Sequence, residues 1–330
     1  MSRISTSHVG SFPLDYSEEN EVRIFNDMIN LGIDYPPVPQ LRNFIKIFLD
    51  PLVEQGFLRR EKGLYIVVRE AKGEGEAEAL EIPEYKIISN LIPKVKNKVK
   101  GVKACITGPF TLASYIFPRE VATADMMNSI LRDKNYILSF LVPYIAKVAD
   151  SLAKLGYDYI NIDEPVLSVI VGARRILFNY TSEEIANALD TIFEKIKHIK
   201  IRGIHVCARL PKLLKPILLS TKYINLLDHE HFDTRENLKF YTYEDLESND
   251  KHIAVGVLSS KKPKVEDIKE VKEMIITSWN LYRDRLLIVK PDCGFKGLKG
   301  SLGDETKEYD LSLMKLKVLI EAVKQVSSEL

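Results

Sequence analysis

Short apolar segments rich in β-branched residues recur along the whole chain, and stretches with helical periodicity separate most of them. The helical pattern is clearest over Asn128–Leu155, where apolar residues recur every three or four positions. Strands that alternate with helices indicate a parallel sheet, because each parallel strand needs a crossover connection to the next. The predicted strands are Ile4–Val9, Val102–Thr107, Tyr159–Ile162, Ile201–Val206, Tyr223–Leu227, Ile253–Leu258 and Leu286–Val289.

Chemically capable residues sit at or just beyond the carboxyl end of these predicted strands. In a (β/α)8 barrel all such ends converge on one face, where the following loops build the active site. An open doubly wound sheet would spread them apart instead. The sequence therefore predicts an α/β fold with a single (β/α)8 TIM barrel domain over residues 1–330. The residues in question are Gly10, Ser11, Gly108, Asp163, Glu164, His205, Cys207, Glu230 and Cys293.

Seven strands are evident, so a barrel needs one more. Either Asp34–Gln40 or Leu64–Val68 is expected to supply it. Residues 59–81 are predicted to form an insertion that ends in the charged loop Lys72-Gly73-Glu74-Gly75-Glu76. Such a loop could act as a lid over the site, although an ordinary surface hairpin is the favoured interpretation.

Composition excludes several classes of protein. A chain of 330 residues with 45% hydrophobic residues can bury a large core, and its 47 basic and 46 acidic residues leave no overall field to attract nucleic acid or an anionic membrane. The stretch Lys94–Lys103 is interpreted as a solvated face, with binding of an anionic cofactor tail as the alternative. Three cysteines exclude a disulfide framework, and no apolar run approaches the roughly 20 residues that cross a bilayer, so we expect a cytoplasmic protein.

Two cysteine motifs, His205-Val206-Cys207 and Pro291-Asp292-Cys293-Gly294, suggest a zinc site. Zn²⁺ takes thiolate, imidazole and carboxylate ligands, and these motifs supply three of four. Glu230 is the most natural fourth ligand, with Asp228 or His229 as alternatives if the strand register slips. Because two thiolates and a carboxylate make the site anionic, it suits the activation of a thiol for alkyl transfer better than the activation of water.

Other strand ends offer groups that could bind an amino-acid substrate. Asp163 could hold an ammonium group, although a helix N-cap is the alternative because Pro165 follows closely. The Gly10-Ser11 pair could present backbone N–H groups and a hydroxyl to a carboxylate, or could be a simple turn. His8 is ambiguous, because an inward-facing strand histidine is as plausible as a functional role.

Six motifs follow one another along the chain. Their order resembles that of the cobalamin-independent methionine synthase family, specifically its C-terminal catalytic barrel, over nearly the whole chain. The motifs are Val9-Gly10-Ser11-Phe12-Pro13, Thr107-Gly108-Pro109-Phe110-Thr111-Leu112, Phe117-Pro118-Arg119-Glu120, Ile162-Asp163-Glu164-Pro165, His205-Val206-Cys207 and Pro291-Asp292-Cys293-Gly294.

The resemblance assigns a role to each candidate residue. It implies that homocysteine is held by Gly10, Ser11 and Asp163, and that its zinc-bound sulfur attacks a methyl group to give methionine. The implied zinc ligands are His205, Cys207, Glu230 and Cys293.

The chain departs from the family pattern where the methyl donor would bind. Tyr115 stands where the family places a tryptophan against the pterin, and Val169 matches the position of an acidic residue used for the pterin. Lys261 lies nearest to the place of the family's proton-donating histidine. Full-length relatives also carry an N-terminal half that helps to bind folate, and no counterpart precedes the first strand here.

These departures predict a core methionine synthase with a donor other than a polyglutamylated folate. A methyl-corrinoid, free or on a corrinoid protein, is the first choice, because its Co–CH₃ bond needs no protonation of the leaving group. A modified pterin, bound with a separate protein, is the second choice, and transfer to a different thiol is the third. A catalytically silent zinc-binding subunit is the rival interpretation. We expect small-molecule substrates, no nucleic acid and no membrane partner.

Overall fold

A parallel β-sheet forms the centre of the protein in the computed structural model, which describes residues 4–69, 76–120 and 123–329. Its strands are β1 (Ser5–Thr6), β4 (Lys103–Thr107), β6 (Tyr159–Asp163), β7 (Ile201–Val206), β8 (Leu226–His229), β9 (His252–Leu258) and β10 (Leu286–Pro291). They pair in the order β1-β10-β9-β8-β7-β6-β4, and every pair is parallel. The predicted α/β fold with a parallel sheet is therefore confirmed.

The boundaries of strand β8 differ from the prediction. Tyr223–Leu227 was the predicted strand, but the backbone N–H groups of Lys222 and Tyr223 donate to the carboxylate of Asp190 instead of to a neighbouring strand. Pairing begins only at Leu226 and runs through His229. As a result Glu230 is the first residue beyond the strand.

The segment 34–40 lies between the two edge strands, β1 and β4. The backbone N–H of Tyr35 donates to Thr6 O at 3.0 Å, and that of Val38 donates to Lys103 O at 2.8 Å. Isolated parallel bridges join Tyr35 to Ser7 and Pro37 to Lys103. Prolines at positions 36, 37 and 39 lack an N–H donor, which explains why no continuous ladder forms here.

The alternative eighth strand, Leu64–Val68, belongs elsewhere. Strand β3 (Leu64–Val67) pairs antiparallel with β2 (Leu58–Glu61) and parallel with β5 (Ile116–Phe117), in a separate three-stranded sheet. Its assignment to the main sheet is therefore wrong. Residues 70–75, which include most of the predicted charged loop, lie outside the described residues.

Helices pack around the main sheet, and the larger hydrophobic core fills the space between sheet and helices. The helices are α1 (Glu18–Leu31), α2 (Lys46–Glu54), α3 (Pro83–Ser89), α4 (Ile92–Val95), α5 (Pro109–Ala113), α6 (Lys134–Tyr136), α7 (Val142–Lys154), α8 (Leu167–Ile170), α9 (Ser182–Glu194), α10 (Leu214–Ser220), α11 (Tyr243–Ser248), α12 (Ile268–Tyr282) and α13 (Glu305–Glu329). Contacts join α1 to α3, α7 to α9, α9 to α10, α12 to α13, and α13 back to α1.

The predicted helix Asn128–Leu155 begins later than expected. Asp133 caps it by accepting a hydrogen bond from the backbone N–H of Tyr136, and a π-helical turn over Ile137–Leu141 joins α6 to α7. Pro143 follows at once and cannot donate to the preceding turn, which accounts for the local widening. Within the described residues, 134–154 is the one helix long and apolar enough to cross a membrane, and most of it is buried inside the protein.

A second, smaller hydrophobic cluster lies apart from the main core. It takes one residue from the segment 34–40 and one from each of five adjacent strands. The ring of Tyr35 meets that of Tyr159 edge to face, with centroids 6.0 Å apart. The members are Tyr35, Tyr159, Ile201, Leu226, Ala254 and Ile288.

Candidate metal centre

Three predicted ligands converge at the carboxyl ends of β7 and β10. The ligand atoms of His205, Cys207 and Cys293 all lie within 4.8 Å of one another. His205 Nε2 is 2.8 Å from Cys207 Sγ, and the two sulfurs are 3.7 Å apart. His205 is buried, and both cysteines are half-buried and not linked by a disulfide.

This arrangement fits a metal ion. Two thiolates bound to one zinc ion at about 2.3 Å, with a tetrahedral angle between them, lie about 3.8 Å apart, and the measured separation is 3.7 Å. The distance from His205 Nε2 to Cys207 Sγ is instead that of a hydrogen bond, so these two atoms must separate by several tenths of an ångström around an ion. Soft sulfur with imidazole nitrogen is a donor set that favours zinc over magnesium or calcium.

A buried carboxylate fixes the orientation of the His205 ring. His205 Nδ1 lies 2.8 Å from Asp228 Oδ1, so Nδ1–H donates to the carboxylate and Nε2 faces the cysteines. Asp228 also pairs with Lys290 at 2.8 Å and with Lys103 at 3.6 Å, and all three side chains are fully buried. Burial alone would raise the pKa of Asp228, but Lys290, His205 and Lys103 hold it well below its usual range.

A hydrogen bond between the two cysteines shifts their pKa values in opposite directions. The hydrogen bond from Cys207 lowers the pKa of Cys293 well below its usual value, and the same bond raises the pKa of Cys207. Burial disfavours the imidazolium of His205, but Asp228 outweighs that effect and raises its pKa to about 9. The pocket thus stabilises a thiolate, which is the form that binds a metal.

Glu230 lies next to this cluster, although it is not among the grouped ligand atoms. Its carboxylate is buried, accepts a hydrogen bond from Thr234 Oγ1, and lies 3.7 Å from Lys261 Nζ. Partial burial of Lys261 lowers its pKa, but the nearby charges of Glu230 and Cys293 have the larger combined effect, so that its pKa is raised. Lys261 therefore presents an ammonium group beside Glu230 and the cysteines.

Asp292 joins the loops that carry Cys293 and Glu230. Its carboxylate accepts hydrogen bonds from the backbone N–H groups of His231 and Phe232 at 2.8 Å and Asp233 at 2.7 Å. Burial raises the pKa of Asp292 to about 6 in spite of these donors. The residue before Cys293 thus positions the chain that follows Glu230.

Gly10 and Ser11 lie against the loop of Cys293. Gly10 has a φ of 130°, a conformation that disfavours any side chain. Ser11 O accepts a hydrogen bond from the N–H of Phe295 at 2.7 Å. A Cβ atom on Gly294 would come within 2.0 Å of Ser11 Oγ, so only glycine allows this approach.

Asp163, the last residue of strand β6, and Glu164, which follows it, lie in different environments. Asp163 accepts a hydrogen bond from Asn161 Nδ2 at 2.8 Å, and burial raises its pKa to about 6 against the opposing effects of His205 and Lys103. It does not cap α8, whose N-cap residue is Val166. Glu164 instead accepts hydrogen bonds from the backbone N–H groups of Phe110 and Thr111 at the start of α5.

The residues expected near the methyl donor are on the surface. Tyr115 is 47% exposed and Val169 is 51% exposed, so both are available to a ligand outside the sheet. His8 is buried and stacked on Phe295, and its Nδ1 accepts a hydrogen bond from Gly10 N–H. Burial, together with Lys103 and Lys290, lowers the pKa of His8 well below its usual value.

The sequence did not reveal the supporting residues of this centre. Asp228 was considered as a metal ligand but lies behind His205, and Lys103 was interpreted as part of a solvated face but is fully buried. Lys290 and Asp292 were assigned no role. Their closeness in the chain to Cys293 was the one available signal.

The sequence is similar to a known protein family and to individual enzymes within it. Residues 83–314 match the family described as "Cobalamin-independent synthase, Catalytic domain". A methionine synthase from Methanocaldococcus jannaschii is 27% identical over 244 residues, which cover 71% of this chain and 68% of that enzyme. One from Pyrococcus furiosus is 26% identical over 233 residues, covering 69% of this chain and 58% of that enzyme.

Solved structures share the fold at low identity. A B12-independent methionine synthase from Shewanella sp. W3-18-1, in complex with selenomethionine, has a TM-score of 0.71 and 15% identity, covering 99% of this chain and 98% of that chain. A methyltransferase from Methanosarcina mazei has a TM-score of 0.65 and 13% identity, covering 99% and 95%.

Proposed function

Because this chain belongs to the cobalamin-independent methionine synthase family, a family of methyltransferases, we propose that it methylates the thiol of L-homocysteine to give L-methionine. The observation that carries the proposal is the convergence of His205, Cys207 and Cys293 at the carboxyl ends of parallel strands, with Asp228 fixing the histidine. Methyl transfer to another thiol remains the alternative.

The sheet is proposed to close into a (β/α)8 barrel. Support comes from segment 34–40, which hydrogen-bonds to both edge strands in the eighth position. The smaller hydrophobic cluster, with Tyr35 against Tyr159, would be the interior layer that such closure requires. Domain 1–330 would then be one barrel, with 59–81 as an insertion.

We propose zinc as the ion, held by His205, Cys207, Cys293 and Glu230. When bound, zinc lowers the pKa of a substrate thiol and so supplies a thiolate at neutral pH. Asp228 keeps Nε2 of His205 available by accepting a hydrogen bond from Nδ1–H. Lys290 and Lys103 offset part of the negative charge that two thiolates and a carboxylate bring together.

Substrate binding is assigned to the residues beside this centre. The carboxylate of Asp163 would pair with the ammonium group of homocysteine, and the Gly10-Ser11 turn would receive its carboxylate. The substrate sulfur then attacks the methyl carbon, the bond between carbon and donor breaks, and its electron pair leaves with the donor.

The donor is proposed to be a methyl-corrinoid or a modified methyl-pterin, delivered free or on a partner protein. Tyr115 is exposed and available for contact with it. Lys261 presents a cation that could protonate a leaving group that needs a proton. We place the reaction in the cytoplasm.

Methionine formation from homocysteine and methylcobalamin by the zinc-loaded protein tests the proposal. We expect turnover by the native chain, loss in Cys293→Ser, and retention in Cys105→Ser. Cys105 is a matched control, because its buried thiol contacts Val9 O outside the ligand group.

Zinc X-ray absorption separates the enzyme from a silent subunit. We expect one additional sulfur neighbour when homocysteine is added. An unchanged zinc environment, with no methionine from either a corrinoid or a pterin donor, would contradict the proposed function.

A further inference from the structure

The pairing between β7 and β8 stops one residue short of two proposed zinc ligands. Its last pair is Val206 with His229. Cys207 and Glu230 follow directly in the sequence, each just beyond the end of its strand. Because the two strands are no longer paired at this point, contacts of another kind have to set the relative position of these residues.

The side chain of Asn237 joins the two segments where the pairing ends. It is 2% exposed and lies in a 3-10 helix of the loop that follows β8. Its Nδ2 donates to Ala208 O at 2.9 Å and to Glu230 O at 2.8 Å, and its Oδ1 accepts from the N–H of Leu210 at 3.0 Å. Both donors and the acceptor of the amide are therefore used to link the segment after Cys207 to Glu230.

The backbone beside Cys207 is held in an unfavourable conformation. Ala208 has a φ of 65°, in the left-handed region that a residue with a Cβ atom disfavours. Such a conformation persists only where its surroundings enforce it, and the hydrogen bond from Asn237 to Ala208 O is one such constraint. The strain lies directly next to a proposed metal ligand.

The same helical turn holds Glu230 in two ways. The hydroxyl of Thr234 donates to its carboxylate, and the amide of Asn237 donates to its backbone carbonyl. The backbone N–H of Asn237 donates to Thr234 O at 3.1 Å, which fixes these two residues relative to each other. One turn therefore sets both the location of the Glu230 backbone and the orientation of its side chain.

We infer that Asn237 is a positioning residue for the metal centre. Its amide fixes the segment after Cys207 relative to Glu230, and so keeps this carboxylate beside the three ligand side chains that already converge. The inference rests on the proposed function for the identity of the ion and of its fourth ligand. Asparagine suits this position, because its amide donates to two carbonyl oxygens, whereas the carboxylate of an aspartate could only accept.

The zinc affinity of the full chain, measured by competition with a chelator, tests the inference without relying on methyl transfer. The test variant is Asn237→Ala, which removes all three hydrogen bonds. The control is Asn225→Ala, because Asn225 links the same two strands at their opposite, amino ends. Its Nδ2 donates to Lys200 O at 3.0 Å, and its Oδ1 accepts from the N–H of Arg202 at 2.8 Å.

We expect Asn237→Ala to bind zinc about ten- to a hundredfold more weakly than the native chain, the usual effect of losing a group that orients metal ligands. Asn225→Ala should bind zinc as the native chain does. Urea unfolding in EDTA should show a loss of stability in both variants, since each loses hydrogen bonds that link β7 to β8. A general loss of stability would therefore not explain a difference in zinc affinity.

A double-mutant cycle with Glu230→Gln tests whether the amide acts through this carboxylate. If it does, Asn237→Ala should weaken zinc binding by no more than about twofold once Glu230 has been replaced. Additive losses of affinity in the double variant would overturn the inference.

Unchanged zinc affinity in folded Asn237→Ala would also overturn it, as would an equal loss of affinity in Asn225→Ala. If Asn237→Ala does not fold, Asn237→Asp decides, because aspartate keeps the size and the acceptor for Leu210 and loses only the two donors. Failure of both variants to fold would assign Asn237 a purely structural role and overturn the inference. If no methionine forms from any donor while Asn237→Ala still loses zinc affinity, the proposed function fails and the positioning role stands.

Discussion

Asp228 contacts a candidate metal ligand, His205, without being a proposed ligand itself. Its carboxylate contacts His205, Lys290 and Lys103, and none of these side chains reaches solvent. A buried charge with three partners is costly to disturb, because each partner left alone remains buried. The orientation of the histidine and the stability of the core therefore depend on the same group.

Replacement of Asp228 by Asn should weaken zinc binding by about ten- to a hundredfold, the usual effect of losing the carboxylate behind a histidine ligand. Chelator competition measures the affinity, and urea unfolding in EDTA measures the separate loss of stability from unpaired lysines. Unchanged affinity in folded Asp228→Asn protein would contradict this role for the carboxylate.

Glu21 is a buried carboxyl group far from the proposed chemistry. Burial, assisted by Glu84, raises its pKa from 4.5 to about 9, against the opposing effect of the Leu41 backbone N–H. The folded state therefore holds a proton here that the unfolded chain releases. Any stability that depends on this proton is complete below pH 4.5 and is lost as the pH rises towards 9.

The substitution Glu21→Gln should remove this loss of stability with rising pH, because glutamine carries no proton that can dissociate in this range. We expect the free energy of unfolding of the variant to exceed that of the native chain by a margin that grows with pH between 4.5 and 9, by up to about 1 kcal/mol per pH unit. Urea unfolding at pH 5, 7 and 8.5 measures it. The exposed Glu19→Gln on the same helix is the matched control, and a margin independent of pH would refute the expectation.

Sequence motifs located the three candidate metal ligands because His205 and Cys207 are close together in the chain and Cys293 lies in a distinctive motif. The roles of Asp228 and Lys103 were not accessible in the same way. Their pairing joins a residue of the central strand β8 to a residue of the edge strand β4, and charge alone suggested that Lys103 was solvated. A long-range buried ion pair leaves no signal in the local pattern.

Among the elements, the short helix α5 shows how one strand end supports its neighbour. Glu164 follows β6, yet it accepts hydrogen bonds from the N–H groups of Phe110 and Thr111 and from the Thr111 hydroxyl. Gly108 allows this approach, because a Cβ there would come within 2.2 Å of the carboxylate. Burial raises the pKa of Glu164 to about 7, with these donors opposing the shift.

Glu164→Ala should lower the free energy of unfolding by about 2–4 kcal/mol, because it leaves buried N–H donors without partners. Thr181→Ala, which removes the exposed capping box of α9, is the comparison and should cost only about 1 kcal/mol. Urea unfolding measures both. Equal effects would show that burial of the α5 cap adds nothing.

Prediction of the elements succeeded where periodicity was strong and failed at boundaries set by side chains. Strand β7 was predicted with its observed limits, whereas β8 began later because Asp190 captures two backbone donors. Segment 34–40 was one of two candidates for the eighth strand, and its prolines conceal its pairing with both edges. Such boundaries depend on tertiary hydrogen bonds that no local pattern contains.

At the scale of the whole molecule, the candidate metal centre brings together segments that are distant in the chain. Cys207 and Cys293 are 86 residues apart. Lys103, which pairs with Asp228, comes from the edge strand β4. Non-local contacts of this kind form late in folding, since the loops between them must close first. We therefore expect the ligand set to be complete only after the sheet has formed.

Zinc should accordingly leave the refolding rate of this chain almost unchanged and should slow its unfolding. We expect refolding from urea at similar rates, within about twofold, with zinc and with EDTA, and a lower unfolding rate with zinc, as for interactions absent from the transition state. Stopped-flow fluorescence measures both rates. Strong acceleration of refolding by zinc would mean that the ligands meet early.

The large hydrophobic core also determines how this protein would respond to the zinc supply in a living cell. A small domain that folds only around its metal is degraded when zinc is scarce, because its metal-free chain stays unfolded. Here a large hydrophobic core exists independently of the three ligand side chains. We therefore expect zinc starvation to leave a reserve of folded, idle protein, which regains activity when zinc returns without any new synthesis.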